Sequence, residues 1–358
     1  MLFKMVMSCI LGLMSKMRVL LAFFLLFCAG CTTMHNTKLE YNPVVENTDF
    51  QQTFRARTIK LIAPASSTDP SNIERLRTLT HLNIQIPEKI IEKNIIFHAN
   101  SDEERLLQLK DALYDTSRNT VVWTLRGGYG SARLLDQLNR LPKPKTEKVF
   151  IGYSDITALH LFLSQQWGWK TIHGAGLARI LEPSQDPQNF EKIAAILSKK
   201  VTSLSLAPLV PLNKAALNTQ KISGTITGGN LSVIQTGIGT VWQIQTKNKI
   251  LFLEEVGEKG YRLDRALNHL KQAGLLKDVR AIVFGQFIDS LDAPDAPSSE
   301  HITVALERFA TDTQIPVFKN DQFGHGTVNY PIVYNAKSDI AVDKTTGEFT
   351  WTMVLKEK

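Results

Sequence analysis

Val149-Phe150-Ile151-Gly152-Tyr153-Ser154-Asp155-Ile156 is the stretch on which the fold turns. Its first four residues are a short apolar run that reads as a buried strand, and Ile156 to Gln166 reads as a helix. One turn joins them, and it carries Ser154. The same rhythm extends upstream. Lys60 to Ala65 reads as a first strand ending at a proline, Asn72 to Leu82 as a helix, Thr120 to Leu125 as a strand and Ser131 to Leu138 as a helix, while Lys89 to Ile96 is mixed. Ser101-Asp102-Glu103-Glu104 opens a further helix. Ser101 suits the cap, the acids suit the positive end of the helix dipole, and Leu106, Leu107, Leu109 and Leu113 supply an apolar face. Strands alternating with helices predict an α/β fold with a parallel sheet covered on both faces.

Downstream the pattern changes. Pro183 to Lys221 is polar, proline-bearing and weakly patterned, and reads as a connector. Gly224 to Asn230 is a strand-and-turn signal. Ile250 to Leu253 and Ala281 to Gly285 read as buried strands, Asp264 to Ala273 as a helix, and Ile340 to Leu355 as strands with a hairpin at Thr346-Gly347.

Of 358 residues, 43% are hydrophobic and 21% charged, which excludes disorder, collagen and a polytopic membrane protein. The formal charge is +7, of which Lys4, Lys16 and Arg18 supply three, leaving about +4 on the body. That charge is spread along the chain without interleaved aromatics, so no nucleic-acid partner is expected. The cysteines are Cys9, Cys28 and Cys31. Thr32 to Lys358 therefore holds no disulfide, no thiolate metal site and no cysteine nucleophile. The histidines show no metal-ligand spacing and no H-E-x-x-H, so neither a metal nor a cofactor is expected.

Val19 to Phe27 is an apolar run behind Lys16 and Arg18, shorter than the ~20 residues a membrane span needs. Residues 1–30 have the layout of a secretory signal, with Met1 and Met17 both possible starts. Cys28-Ala29-Gly30-Cys31 resembles the bacterial lipobox, with Cys28 standing where leucine is usual. The resemblance implies lipidation at Cys31. With Thr32 rather than aspartate following, it also implies an outer-membrane-anchored lipoprotein facing the periplasm of a Gram-negative cell. An uncleaved anchor is the other reading of residues 1–30. Residues 31–55 read as a tether.

Four places can carry chemistry. Ser154 stands at a strand end under a helix N-terminus, where N–H groups and the dipole favour an oxyanion; the same position equally suits an N-cap. His325 lies between glycines in Phe323-Gly324-His325-Gly326, either a mobile general base or an exposed loop histidine. Glu254 and Glu255 follow an apolar strand, and alternation sends them to opposite faces, so one can face a site while either also fits a solvated terminus. Arg126-Gly127-Gly128-Tyr129-Gly130 follows a strand and is rich in N–H donors. It matches neither G-x-G-x-x-G nor a Walker sequence, so an oxyanion donor at Gly128 or Tyr129 is the better reading.

Together these stretches resemble the bacterial serine-type L,D-carboxypeptidases, the family that also includes the microcin C immunity hydrolases. The matching residues are Ile62-Ala63-Pro64-Ala65, Ser101 to Leu106, Arg126 to Gly130 with Ala132 to Leu135, Gly152 to Asp155, Gly228 to Leu231, Leu253 to Glu258 with Tyr261-Arg262 and Asp264-Arg265, and Phe323 to His325. They run in the family's order over about residues 59 to 335. The resemblance implies a catalytic triad of Ser154, Glu254 and His325, with oxyanion donors at the N–H groups of Gly128 and Asp155. It also implies a flavodoxin-like N-terminal domain (56–182), a connector (183–221) and a smaller β-rich C-terminal domain (222–358), with the active site between the two. The implied substrate is murein tetrapeptide or a muropeptide, cut at its terminal D-Ala, with Arg126 a candidate for the free carboxylate, and the implied assembly is a homodimer. A peptide–nucleotide antibiotic or another acylated amide is the alternative substrate. His173-Gly174-Ala175-Gly176 departs from the family's His-Gly-Pro pattern.

Overall fold

Five parallel strands build the first sheet: β1 (Thr58–Ile62), β2 (Ile84–Gln85), β3 (Thr120–Thr124), β4 (Val149–Gly152) and β5 (Ile172–His173). This computed structural model describes residues 41–289 and 298–356. The signal, the lipobox-like segment and Cys31 lie outside them. β3 is buried along its whole length, as a strand covered on both faces must be. The spatial order β2-β1-β3-β4-β5 is that of flavodoxin-like sheets, which reverse direction between β1 and β3. Ligands in such sheets bind beyond the strands' carboxyl ends at that reversal. The loops after β1, β3 and β4 hold Ser66, Gly127 and Ser154 respectively.

The second sheet closes on itself. β6 (Ser203–Pro211), β7 (Lys221–Asn230), β8 (Lys249–Val256), β9 (Ala281–Ile288), β10 (Val317–Lys319), β12 (Lys337–Val342) and β13 (Phe349–Val354) form a barrel in the order β10-β6-β13-β12-β7-β8-β9. β12 and β13 are the predicted hairpin. The two halves interlock. β11 (Ile332–Val333), which lies between barrel strands in sequence, pairs antiparallel with β5 at the edge of the first sheet.

Three expectations are corrected. The tether ends earlier than residue 55. Asn42 is buried, and the helix Thr48–Arg55 sets Phe50 and Phe54 one turn apart into the core. The connector is structured. Its helix Gln188–Leu197 buries Phe190, Ile193, Ala194 and Leu197, a spacing of three and four, and β6 completes the barrel. In the helix Asp102–Leu113, Ser101 accepts the Glu104 N–H and Leu106, Leu109 and Leu113 are buried as expected. Leu107 is exposed, because a residue one step from Leu106 is rotated by about 100° out of the apolar stripe.

Candidate active site

Ser154 occupies the turn between β4 and the helix Thr157–Gln166, with φ +64°. A serine pays strain to sit in the left-handed region, on the order of 1–2 kcal/mol. The turn is held from below. His160, in the first turn of that helix, is fully buried. Its Nε2–H donates to the Gly152 carbonyl (2.8 Å), which leaves Nδ1 to accept from the Thr171 hydroxyl (2.8 Å). Burial pushes its pKa down to about 4, so this support is neutral at physiological pH. In front, Gly127 comes so close that a Cβ there would stand 2.6 Å from the serine Cβ. The serine Oγ has no hydrogen-bond partner among the described residues.

The barrel delivers the other two groups. Glu254 is fully buried in β8, and its Oε2 accepts a hydrogen bond from His325 Nδ1 at 2.5 Å. Its neighbour Glu255 faces the other way, as strand alternation requires. It accepts from Asn230 Nδ2 and the Ser232 N–H, both at 2.7 Å. His325 is 11% exposed. Since a carboxylate only accepts, the proton sits on Nδ1 and the Nε2 of the neutral ring is a lone pair. That Nε2 is buried without a hydrogen-bond partner. Burial lowers the His325 pKa, but the charge and hydrogen bond of Glu254 outweigh it, so the pKa lies above the ordinary histidine value.

The halves meet at these groups. The Tyr153 ring, next to Ser154, lies 5.0 Å from the His325 ring. Three residues beyond Ser154, the Thr157 hydroxyl accepts the Asn230 N–H (3.0 Å), and Asn230 is the β7 residue registered with Glu254. The approach is possible because Gly229 lacks a side chain; a Cβ there would stand 2.5 Å from Thr157. Ser154, His325 and Glu254 are therefore brought into one neighbourhood, although no hydrogen bond joins Ser154 to His325. Such bonds are commonly long before substrate binds. The Gly128 N–H has no protein acceptor among the described residues, and the Asp155 N–H lies in the first helical turn, where donors lack intrahelical partners. Arg126 is exposed, donates only to the Ser67 carbonyl (3.4 Å) and makes no ion pair among the described residues. Among those residues, too, no cluster of three or more His, Cys, Asp or Glu is placed to hold a metal, and no helix is long and apolar enough to cross a membrane.

Three further residues position the site, and none of them has a role in the sequence reading. Gln286 sits where β9 has one residue more than β8, between the pairs Leu253–Phe284 and Glu255–Phe287. Such bulges re-aim side chains. Its Nε2 donates to the carbonyls of Asp321 (2.8 Å) and Val328 (3.1 Å), and its Oε1 accepts the Gly326 N–H (2.6 Å). Gln286 is thus the partner that the glycines beside His325 admit: a Cβ on Gly324 or Gly326 would stand 2.8 Å from it. From the other half, Arg179 donates to the carbonyls of His325 and Gly326 (3.3 Å each) and pairs with Glu182 (2.8 Å). Arg105, fully buried, ties the carbonyls of Pro64, Asn100 and Gly130 together beneath the glycine loop. Gln286, at a strand end after a glycine, bears the signal that singled out Glu254; the other two bear none.

The His325 loop, laced by one carboxamide, gives a prediction. Gln286→Ala is expected to lower kcat about 10²-fold with KM little changed, since an ångström of misplacement at a reacting group costs that much. The low-field proton resonance of the His325 Nδ1–H should broaden with it. A wild-type kcat with a broadened resonance would separate loop order from catalysis and count against the role.

Two family models match the chain: the LD-carboxypeptidase N-terminal domain over residues 59–174 and the LD-carboxypeptidase C-terminal domain over residues 223–340. The chain belongs to the LD-carboxypeptidase family. It is a serine-type carboxypeptidase, a hydrolase. A Rickettsia conorii protein provisionally named a carboxypeptidase is 52% identical over 80% of this chain and 89% of its own length. The murein tetrapeptide carboxypeptidase of Pseudomonas aeruginosa is 31% identical over 76% of this chain and 89% of its own. The fold matches the crystal structure of muramoyltetrapeptide carboxypeptidase from Oxalobacter formigenes with TM-score 0.66 and 23% identity, over 82% of this chain and 99% of that one. In this carboxypeptidase the sheet that carries Ser154 and the barrel that carries Glu254 and presents His325 correspond to the two-part fold expected from the sequence.

Proposed function

We propose that this carboxypeptidase removes the terminal D-Ala from murein tetrapeptide through an acyl-enzyme on Ser154. The observation that carries the reading is the buried 2.5 Å Glu254–His325 hydrogen bond, with the free Nε2 turned into the interior beside the Ser154 turn. His325 Nε2 takes the Ser154 proton as Oγ attacks the carbonyl of the third residue. Glu254 fixes the ring and stabilises its cation. The N–H groups of Gly128 and Asp155 receive the oxyanion. The C–N bond breaks as His325 returns its proton to the leaving amine, and a water activated by the same nitrogen then hydrolyses the ester. The exposed guanidinium of Arg126, two residues from Gly128, suits the free carboxylate of D-Ala. The murein tetrapeptide specificity named for the P. aeruginosa relative supports the substrate.

The experiment is incubation of the purified protein with murein tetrapeptide, with tripeptide and D-Ala read by mass spectrometry. Binding without release of D-Ala, or cleavage only of other amides, would overturn the reading. For the cell, the proposal is a homodimeric, lipid-anchored enzyme facing the periplasm; Cys28-Ala29-Gly30-Cys31 behind its apolar run supports the anchor. Cys31→Ser is expected to abolish lipid labelling and release the protein from membranes; retention with label intact would sink the anchor.

A further inference from the structure

Next to the glycine loop lies a group of rings that the triad does not use. Phe97 is 72% exposed, Tyr129 55% and Ile96 73%. The Phe97 and Tyr129 rings meet edge to face at 6.4 Å, and His98 stacks on Tyr129 at 5.3 Å. Exposed apolar side chains are ordinary when scattered, but a contiguous aromatic cluster on a surface marks a binding site. Phe97 is also held at φ +72°, a backbone conformation that a bulky residue adopts only under strain. The fold thus holds this ring in water against its own backbone preference.

The cluster is tied to the nucleophile. Ser66, in the turn after β1, donates its hydroxyl to the Phe97 carbonyl (2.6 Å) and accepts the Tyr129 N–H (3.0 Å). Its own N–H donates to the carbonyl of Gly127 (3.3 Å), the residue packed against Ser154. Tyr129 is two positions beyond Gly127, at most about 7 Å of chain. Tyr129 also directly follows the Gly128 N–H assigned to the oxyanion. The Phe97 loop and the oxyanion loop therefore form one hydrogen-bonded edge around one side of the reacting carbonyl. His98 is kept neutral, because burial and the charge of Arg105 lower its pKa against the opposing Asp102. The rings accordingly offer flat, uncharged faces.

We propose that Phe97 and Tyr129 form a rim subsite that takes the pyranose ring of a sugar-bearing murein tetrapeptide, on the reading of the substrate given above. A pyranose has an apolar face of C–H bonds and keeps its hydroxyls in water. That matches rings that are half wet and open on one side better than it matches a dry slot for a base. It makes the enzyme a reader of the sugar as well as of the peptide end.

The test compares kcat/KM for free murein tetrapeptide and for the same peptide carried on N-acetylmuramic acid. Wild type is expected to prefer the sugar-bearing substrate. The Phe97→Ser, Tyr129→Ser double variant should lose about tenfold of that preference, through KM, consistent with one aromatic contact. Phe97→Tyr and Tyr129→Phe should keep it. No preference in wild type, or the same preference in the double variant, overturns the rim. Affinities of the two ligands for Ser154→Ala, measured by titration calorimetry with and without the rim substitutions, separate this from the substrate reading. If wild type releases no D-Ala, the proposed reaction falls. The rim stands only if the sugar-bearing ligand binds more tightly to the variant with its rings than to the variant without them. Tighter binding of an aminoacyl nucleoside than of the muramoyl peptide would assign the rings to a base and overturn the proposal.

Discussion

Ser154→Ala is expected to lower kcat on murein tetrapeptide by about a millionfold, the loss seen when a triad serine is removed and only binding and oxyanion stabilisation remain. The fold should survive, because the side chain is partly exposed and its Oγ has no partner among the described residues. A second substitution sharpens the expectation. At φ +64°, alanine keeps the backbone strain and glycine relieves it. Ser154→Gly should therefore be at least as stable to heat as Ser154→Ala, although glycine ordinarily costs about 0.5–1 kcal/mol. Both variants must be inactive. Turnover near wild type in either would remove Ser154 from the reaction, and a large loss of stability in Ser154→Gly would mean that the turn is not strained.

The turn was readable because the strand and the helix that frame it are local. Val149 to Gly152 is apolar and the helix after it buries every residue from Thr157 to Ser164, so strand and helix are both legible within a few residues of Ser154. The partners of the serine are readable only as types of residue at strand ends and between glycines. What makes them a site is distant in sequence. Glu254 and His325 are 71 residues apart, and Arg179 reaches a carbonyl 146 residues away. No periodicity records such pairings. The helix over Thr48–Arg55 was missed for a related reason. Its two phenylalanines stand among polar residues, and only the surface they meet shows which side is the core. β6 escaped notice because a barrel strand with a wet outer face and few buried residues has weak alternation, and closure is a property of its neighbours β10 and β13.

The comparison of Glu254→Gln with Glu255→Gln separates two adjacent acids by what each one touches. Among the described residues, Glu254 hydrogen-bonds only to the imidazole. An amide there can still accept from Nδ1–H but carries no charge to stabilise the imidazolium, or it turns its NH2 inward and forces the other tautomer. Either way kcat should fall about 10⁴-fold, as in other triads that lose the charge but keep the shape. The pH profile should move as well. His325 must be neutral to take the serine proton, and its pKa lies above the ordinary 6.5 because Glu254 outweighs burial. Wild-type kcat/KM should therefore rise with pH through a value above 6.5. In Glu254→Gln burial acts with less opposition, and that limb should shift to lower pH. The stabilisation from the charged pair follows the same sign. It is complete below the unfolded histidine value and fades as pH rises through the folded one. Glu255 instead binds Asn230, the Ser232 N–H at the start of the helix Leu231–Thr236, and the Val256 N–H (2.8 Å). Burial and the Glu254 charge raise its pKa against those three bonds. Glu255→Gln should cost about 1–3 kcal/mol in stability through the donors it leaves unpaired, and less than tenfold in kcat. If Glu255→Gln proved the more damaging to turnover, or if the acid limb stayed in place in Glu254→Gln, the carboxylate that orients His325 would not be Glu254.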